Sequence, residues 1–275
     1  MTSYQITLHK MQTVLENEKA HYYMNLDNEA VLFCDFLTKT IRFDYLNEIN
    51  CLHCHRKTSK SFSQGYCFPC FRSLAQCDMC LMKPELCHYH LGTCREPQWG
   101  LRHCFQDHII YLANTGDVKV GITRITNTPH RWIDQGATEV LPIARVKSRL
   151  ISGLVEVELK KHIADKTNWR KMLKGQIEHK PLDVIRESIF ISAKNQLAKI
   201  KLDHGDDALE LLNEKAFNIH YPVIEYPEKI KSFNLDKNQT FSGKLLGIKG
   251  QYLLLDTGVI NIRKYSGYKV NLSIT

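Results

Sequence analysis

Nine of the ten cysteines in this chain fall between Cys51 and Cys104, and a segment so loaded with sulfur has few ways to fold. The first four read Cys51-Leu-His-Cys54, then twelve residues, then Cys67-Phe-Pro-Cys70. A Cys-x-x-Cys pair on a tight turn places its two sulfurs on one edge of a tetrahedron, and the intervening stretch brings the second pair round to complete it. Another pair, Cys77-Asp-Met-Cys80, follows, and then Cys87, His88, His90, Cys94, His103, Cys104 and His108. That run holds enough ligands for a second metal and part of a third, with Cys77 and Cys80 as its firmest members.

The competing use of such cysteines is a disulfide framework, which needs an oxidising compartment. Residues Met1 to Lys10 are mixed and polar, without the apolar stretch of a secretory signal, and no apolar run reaches the length of a membrane span. A chain of 275 residues can bury ordinary cores without covalent staples. Thiolate-bound zinc is therefore expected, in one or two or more structural sites, together with a cytoplasmic location; spacing leaves an iron–sulfur cluster open as the minor alternative. Closed all-thiolate zinc folds a segment rather than reacting, and about 10–16 kcal/mol of apparent binding energy can go into that ordering. Cys34 stands apart, in the apolar run Val31 to Leu37, and reads as a small buried hydrophobe.

Four segments separate by pattern, which predicts an α+β multidomain chain. Residues 1–50 carry alternating stretches such as Tyr4 to Leu8 and His21 to Leu26, with Asp27-Asn28 as a turn, and read as β-strands. Residues 51–108 are the zinc-ribbon-like module, and residues 109–200 are mixed α/β. Residues 201–275 return to strands, with Lys249-Gly250 and Asp256-Thr-Gly258 as turns in a small antiparallel β domain. In the α/β segment, His108 to Ala113 and Val118 to Thr123 form a hairpin. Thr128-Pro129 reads as a helix start with a hydroxyl cap, Gly136 as its end, Glu139 to Lys147 as a third strand, and Ile151 to Ala164 as a longer helix. On that helix Ile151, Leu154, Val155, Leu159 and Ile163 define an apolar face, and Glu158 falls in its middle with His162 four further on. A carboxylate there pairs with a neighbouring cation, binds a metal or faces a cleft. Trp132 reads as core, and the basic run Trp169 to Lys174 as a solvated helix face.

The order of hairpin, arginine-bearing helix, strand and glutamate-bearing helix resembles the GIY-YIG nuclease domain. Ile109-Ile-Tyr111 stands at its first tyrosine motif and Lys119-Val-Gly121 at its second, closest to the phage-type variants with Lys-Ile-Gly. The resemblance spans Ile109 to about Trp169, and Lys119 departs from the usual second tyrosine. It implies that Tyr111 orients or activates water, Lys119 contacts phosphate, and Arg131 stabilises charge on the scissile phosphate. It further implies that Glu158 or Glu156 holds one divalent cation, Mg²⁺ by its chemistry. The whole chain also resembles a family of cysteine-rich proteins in which a zinc module precedes such a segment, and that resemblance implies no activity.

A formal net charge of +8 is compatible with a nucleic-acid partner. Three functions follow as expectations. One is a Mg²⁺-dependent endonuclease that grips nucleic acid with its zinc module, Arg124 and Arg131 flanking the cleft. Another is a non-catalytic RNA- or DNA-binding protein that also uses Lys249, Arg263, Lys264 and Lys269. The last is a scaffold recruiting a protein partner through the Cys77–Cys104 module.

Overall fold

The computed structural model describes residues 2–163 and 168–275. Its N-terminal part is all strand: β1 (Thr2–Thr7), β2 (Gln12–Glu16), β3 (Lys19–Leu26), β4 (Glu29–Leu32) and β5 (Thr40–Asn50). The turn at Asp27 and Asn28 is as expected: both residues take positive φ, 50° and 69°, the backbone that matches the right-handed twist of a tight hairpin. Strands β2, β3 and β4 form a three-stranded sheet.

The cysteine-rich module contributes β6 (Lys57–Thr58) and two short helices, α1 (Phe68–Ser73) and α2 (Pro97–His103). Then come β7 (His108–Asn114), β8 (Val118–Arg124), α3 (His130–Asp134), β9 (Glu139–Val146), α4 (Arg149–Leu159), α5 (Trp169–Leu173) and α6 (Leu182–His204). The C-terminal part holds β10 (Leu209–Leu211), β11 (Phe217–Asn218), β12 (Thr240–Lys249), β13 (Tyr252–Leu255), β14 (Gly258–Asn261) and β15 (Tyr268–Ile274). The protein is thus α+β, with several antiparallel sheets.

Two of these sheets gather strands from distant parts of the chain. The first runs β1-β15-β5-β12-β13-β14, with β6 added to β5, so the first and last of the four segments share one sheet. The second runs β10-β9-β7-β8, with β11 also on β9, so residues just past 201 complete the sheet of the α/β segment. In β7 the side chains alternate between two cores, as strand geometry requires. Ile109, Tyr111 and Ala113 join a core shared with the seven-stranded sheet. Ile110 and Leu112 face Ile151, Val155 and Leu159 of α4, with α6 over the same layer.

Local details differ from the sequence reading at two helix ends. Helix α3 starts at His130 with Pro129, not Thr128, in the capping position, across a cis Thr128–Pro129 peptide. The Thr128 hydroxyl instead donates to the Ile125 carbonyl at 2.6 Å and closes the preceding turn. Helix α4 begins two residues earlier than Ile151, because Ser148 Oγ accepts from the Ile151 amide at 3.3 Å. It ends at Leu159, and Ala164 lies outside the described residues. Met172 and Leu173 of α5 are buried, so the Trp169–Lys174 run is more than a solvated face.

One buried group works against the fold. Lys249 is 0% exposed, its Nζ has no hydrogen-bond partner among the described residues, and the Tyr221 and Tyr226 rings lie 5.3 Å from it. Burial lowers this ammonium from 10.5 to about 8. Its folded-state value lies below the unfolded one, so the cost of charging it is fully present below pH 8 and disappears as pH rises towards 10.5. Lys249→Met is therefore expected to raise stability at pH 7 by about 1–3 kcal/mol, less whatever cation–π attraction is lost. Chemical denaturation at pH 7 and pH 10 checks this: the gain should shrink markedly at the higher pH.

Candidate functional site

The first four module cysteines converge. Cys51 ends β5, where its amide donates to the Arg56 carbonyl at 2.9 Å and its carbonyl accepts from the His55 amide at 2.9 Å, which curls the chain back to present Cys54. Cys67 caps α1 and Cys70 lies in its first turn, where Pro69, the second helical residue, needs no N–H partner. The four sulfurs lie within 4.8 Å of one another, and Cys54 and Cys67 are 3.7 Å apart. A disulfide would bring sulfurs to about 2.05 Å. A tetrahedron with Zn–S near 2.3 Å has edges of about 3.8 Å, which the observed separation matches.

The electrostatics fit the same use. Burial raises the Cys51 thiol, but amide donors at Cys54, Cys67 and His53 outweigh it and bring it down to about 6. Cys70 is pushed up by burial and by its three sulfur neighbours. Four thiolates cannot share this space without a cation, and a divalent soft metal supplies it. Cys51, Cys54, Cys67 and Cys70 thus make a closed set that can hold a structural zinc.

The remaining module residues divide. Cys77 packs into the apolar cluster around the first four. Cys80, Cys87, Cys94 and Cys104 line a separate cavity. His90 is exposed and outside that lining. His103 stacks on Trp99, with centroids 4.2 Å apart. His108 is buried on β7, donating from Nδ1 to the Gln106 carbonyl at 2.7 Å.

Among the residues singled out in the α/β segment, Tyr111 is the hub. It faces Gly121 across the β7–β8 ladder, and its ring lies over that glycine: a Cβ there would sit 2.6 Å from the phenol oxygen. The Tyr111 hydroxyl accepts from Gln135 Nε2 at 3.1 Å. Burial raises the phenol; the Arg131 guanidinium and the Gln135 amide oppose that, and the Glu156 carboxylate adds to it. Arg131 from α3 therefore lies beside the phenol, and the charge of Glu156 on α4 is felt there. Lys119 is half-buried opposite Ala113, on the same face as Tyr111.

A fourth charged group comes from the other sheet. Arg263 is lowered by burial and then by the like charge of Arg131, with Asp134 opposing. Sequence reasoning named Arg263 only as a basic residue near a turn; no local signal pairs it with α3. Glu158 does not join this group: its carboxylate is bonded to Lys161 and lies 3.6 Å from His162. Glu156 is paired with Lys160 at 3.3 Å. Arg124 is also elsewhere, beside Cys104 and Arg149 at the far end of β8. Trp132 is core as expected, 5.7 Å from Tyr111 and 5.0 Å from Phe217.

Both the thiolate set and the tyrosine hub lie within residues 38–270, which match one protein family along most of the chain. The chain belongs to DUF2797, described as a protein of unknown function. Strands β1 to β4 of this DUF2797 member precede the matched region. Comparison with curated proteins and with solved structures returns no match. No helix among the described residues is long and apolar enough to cross a membrane.

Two outcomes are expected. Cys67→Ser should remove one zinc equivalent, measured by elemental analysis of the purified chain, and lower its melting temperature. Gly121→Ala forces a methyl into the Tyr111 ring and should cost about 1–3 kcal/mol, read by chemical denaturation.

Proposed function

We propose that this chain is a zinc-folded nucleic-acid-binding protein whose middle segment follows the GIY-YIG nuclease plan and hydrolyses phosphodiester bonds. The observation that carries the reading is the Arg131 guanidinium beside the buried Tyr111 phenol, with the charge of Glu156 from α4 felt at the same group. Arg131 and Arg263 supply positive charge where a phosphate would sit, and guanidinium forks suit phosphate oxygens. Glu156, rather than Glu158, is the carboxylate suited to a divalent cation, since it acts on that phenol. The cation, Mg²⁺ by its chemistry, would complete its shell with substrate phosphate oxygens and water, and would supply Lewis-acid stabilisation of charge. Lys119 lies on the face where a phosphate would be contacted. The free thiols suit a reducing compartment, and we assign the chain to the cytoplasm on that ground.

A second reading has its own support. Tyr111 is 0% exposed and its hydroxyl is already engaged by Gln135, which suits a structural role better than contact with a reacting water. On that reading the chain binds DNA or RNA without cleaving it.

Incubation of the zinc-loaded protein with single- and double-stranded DNA and RNA, with Mg²⁺ or EDTA, separates the two. Hydrolysis predicts Mg²⁺-dependent cleavage that Glu156→Gln abolishes while binding survives, and that Glu158→Gln retains. Binding without cleavage under every condition leaves the non-catalytic reading. Either way, affinity should fall steeply as salt rises, with a log–log slope set by the number of phosphates contacted; affinity indifferent to salt and to nucleic acid would sink both.

A further inference from the structure

We infer that Cys80, Cys87, Cys94 and Cys104 hold a second zinc ion, and that this ion fixes the start of helix α4. The four cysteines line a cavity of about 20 Å³, room for a single small occupant. Each arrives on a different piece of backbone. Cys80 sits in a single turn where Asp78 accepts from its amide, Cys87 follows the turn Pro84–Leu86, Cys94 follows the bend at Gly92, and Cys104 caps the end of α2. All four are free thiols. All four line that one cavity, with Ala75, Leu81 and Gly100 as its small and apolar walls. As four thiols the cluster buries weak donors with little to bond; as thiolates on Zn²⁺ it satisfies all four. Such a centre carries a net charge of −2, and cations already flank it. Arg95 lines the cavity, and the Arg149 guanidinium lies beside Cys104 while its Nε finds no partner among the described residues.

The neighbouring candidates are otherwise engaged. Asp78 accepts from Arg95 Nε at 2.7 Å, and His88 Nδ1 lies 2.7 Å from the Thr93 hydroxyl with Nε2 3.5 Å from Asp78. With Cys80 they still bring ligand atoms within 4.8 Å of one another, so they are the alternative ligands that the His88→Ala variant separates from Cys87, Cys94 and Cys104. Cys77 belongs to the first centre's apolar surround. The backbone ligated by the ion also grips α4. The Arg149 amide donates to the Cys104 carbonyl at 2.8 Å. Gly153 meets Pro84 and Glu85 so closely that a Cβ would lie 2.4 Å from the Glu85 nitrogen. The metal part of this inference stands whether or not the chain cleaves nucleic acid.

Elemental analysis of the purified full chain tests it. Wild type, Cys77→Ser and His88→Ala should each carry two zinc equivalents, Cys51→Ser and Cys94→Ser one each, and the Cys51/Cys94 double variant none. One equivalent in wild type, loss of metal in Cys77→Ser or His88→Ala, or iron with acid-labile sulfide would overturn the assignment. Should Cys94→Ser misfold and lose both ions, cobalt titration of wild type decides: the second equivalent must show the absorption of four thiolates, and a weaker spectrum refutes it. Amide exchange in residues 149–159 should speed up in Cys94→Ser and not in Cys77→Ser; unchanged exchange in Cys94→Ser refutes the role in holding α4.

Discussion

Strand β5 makes the pairings on which the rest of the architecture depends, because it carries β15 along one edge and β12 along the other. Its Ile41 and Phe43 are fully buried, and Phe43 stacks on Phe241 with centroids 4.8 Å apart. β15 in turn holds β1, so the two ends of the chain pair with each other beside β5. The seam is reinforced by Gln251, which accepts from the Met11 amide at 2.8 Å and donates to Asp134 Oδ1 at 2.8 Å. Asp134 also pairs with Lys10. Helix α3, which bears Arg131, is thereby tied to the N-terminal segment and to the C-terminal sheet at once. The position of Arg131 is a property of the whole sheet as much as of its own short helix.

The cysteine-rich module is suspended between the two large sheets. Cys51 stands at the end of β5, and Cys104 lies just ahead of β7. Between them the chain forms only brief turns and helices, and large apolar side chains such as Met82, Leu91 and Phe105 stay exposed. A segment of this length cannot bury enough apolar surface to order itself, so sulfur takes the place of a hydrophobic interior. Zinc on the first thiolate set would hold the end of β5 through Cys51, and the ion proposed for the second would hold α4 through Cys104 and Arg149.

The sequence made local structure legible where chemistry is local. Two Cys-x-x-Cys pairs announced the first thiolate set, and alternation in β7 and β8 announced their hairpin. What stayed hidden was long-range. Pairing of β1 with β15 depends on a register between strands at opposite ends of the chain, and no residue in either reports the other. Glu158 looked the better candidate because it interrupts an apolar stripe; Lys161 and His162 instead satisfy it, and the less conspicuous Glu156 lies near the tyrosine. The division of the later cysteines was equally invisible, since spacing offers Cys77 as readily as Cys104. Backbone turns decide it, by sending Cys77 inward to the first cluster and Cys80 outward to the second cavity.

The central place of β5 has a consequence for how the chain is made. A ribosome releases β5 early, yet its two neighbours β12 and β15 are among the last elements to emerge. Throughout that interval β5, beyond its end paired with β6, presents unpaired amide and carbonyl groups, the kind of template on which other nascent strands assemble. The cysteine-rich module and the β8-β7-β9 part of the second sheet pair with no strand of the first sheet beyond β5 and β6, so they can form while the chain is still tethered. Charged residues on β5, Arg42 and Asp44, bond to each other at 2.8 Å and put a salt-bridged pair on the outward face. Such a pair keeps the waiting strand soluble until its partners arrive.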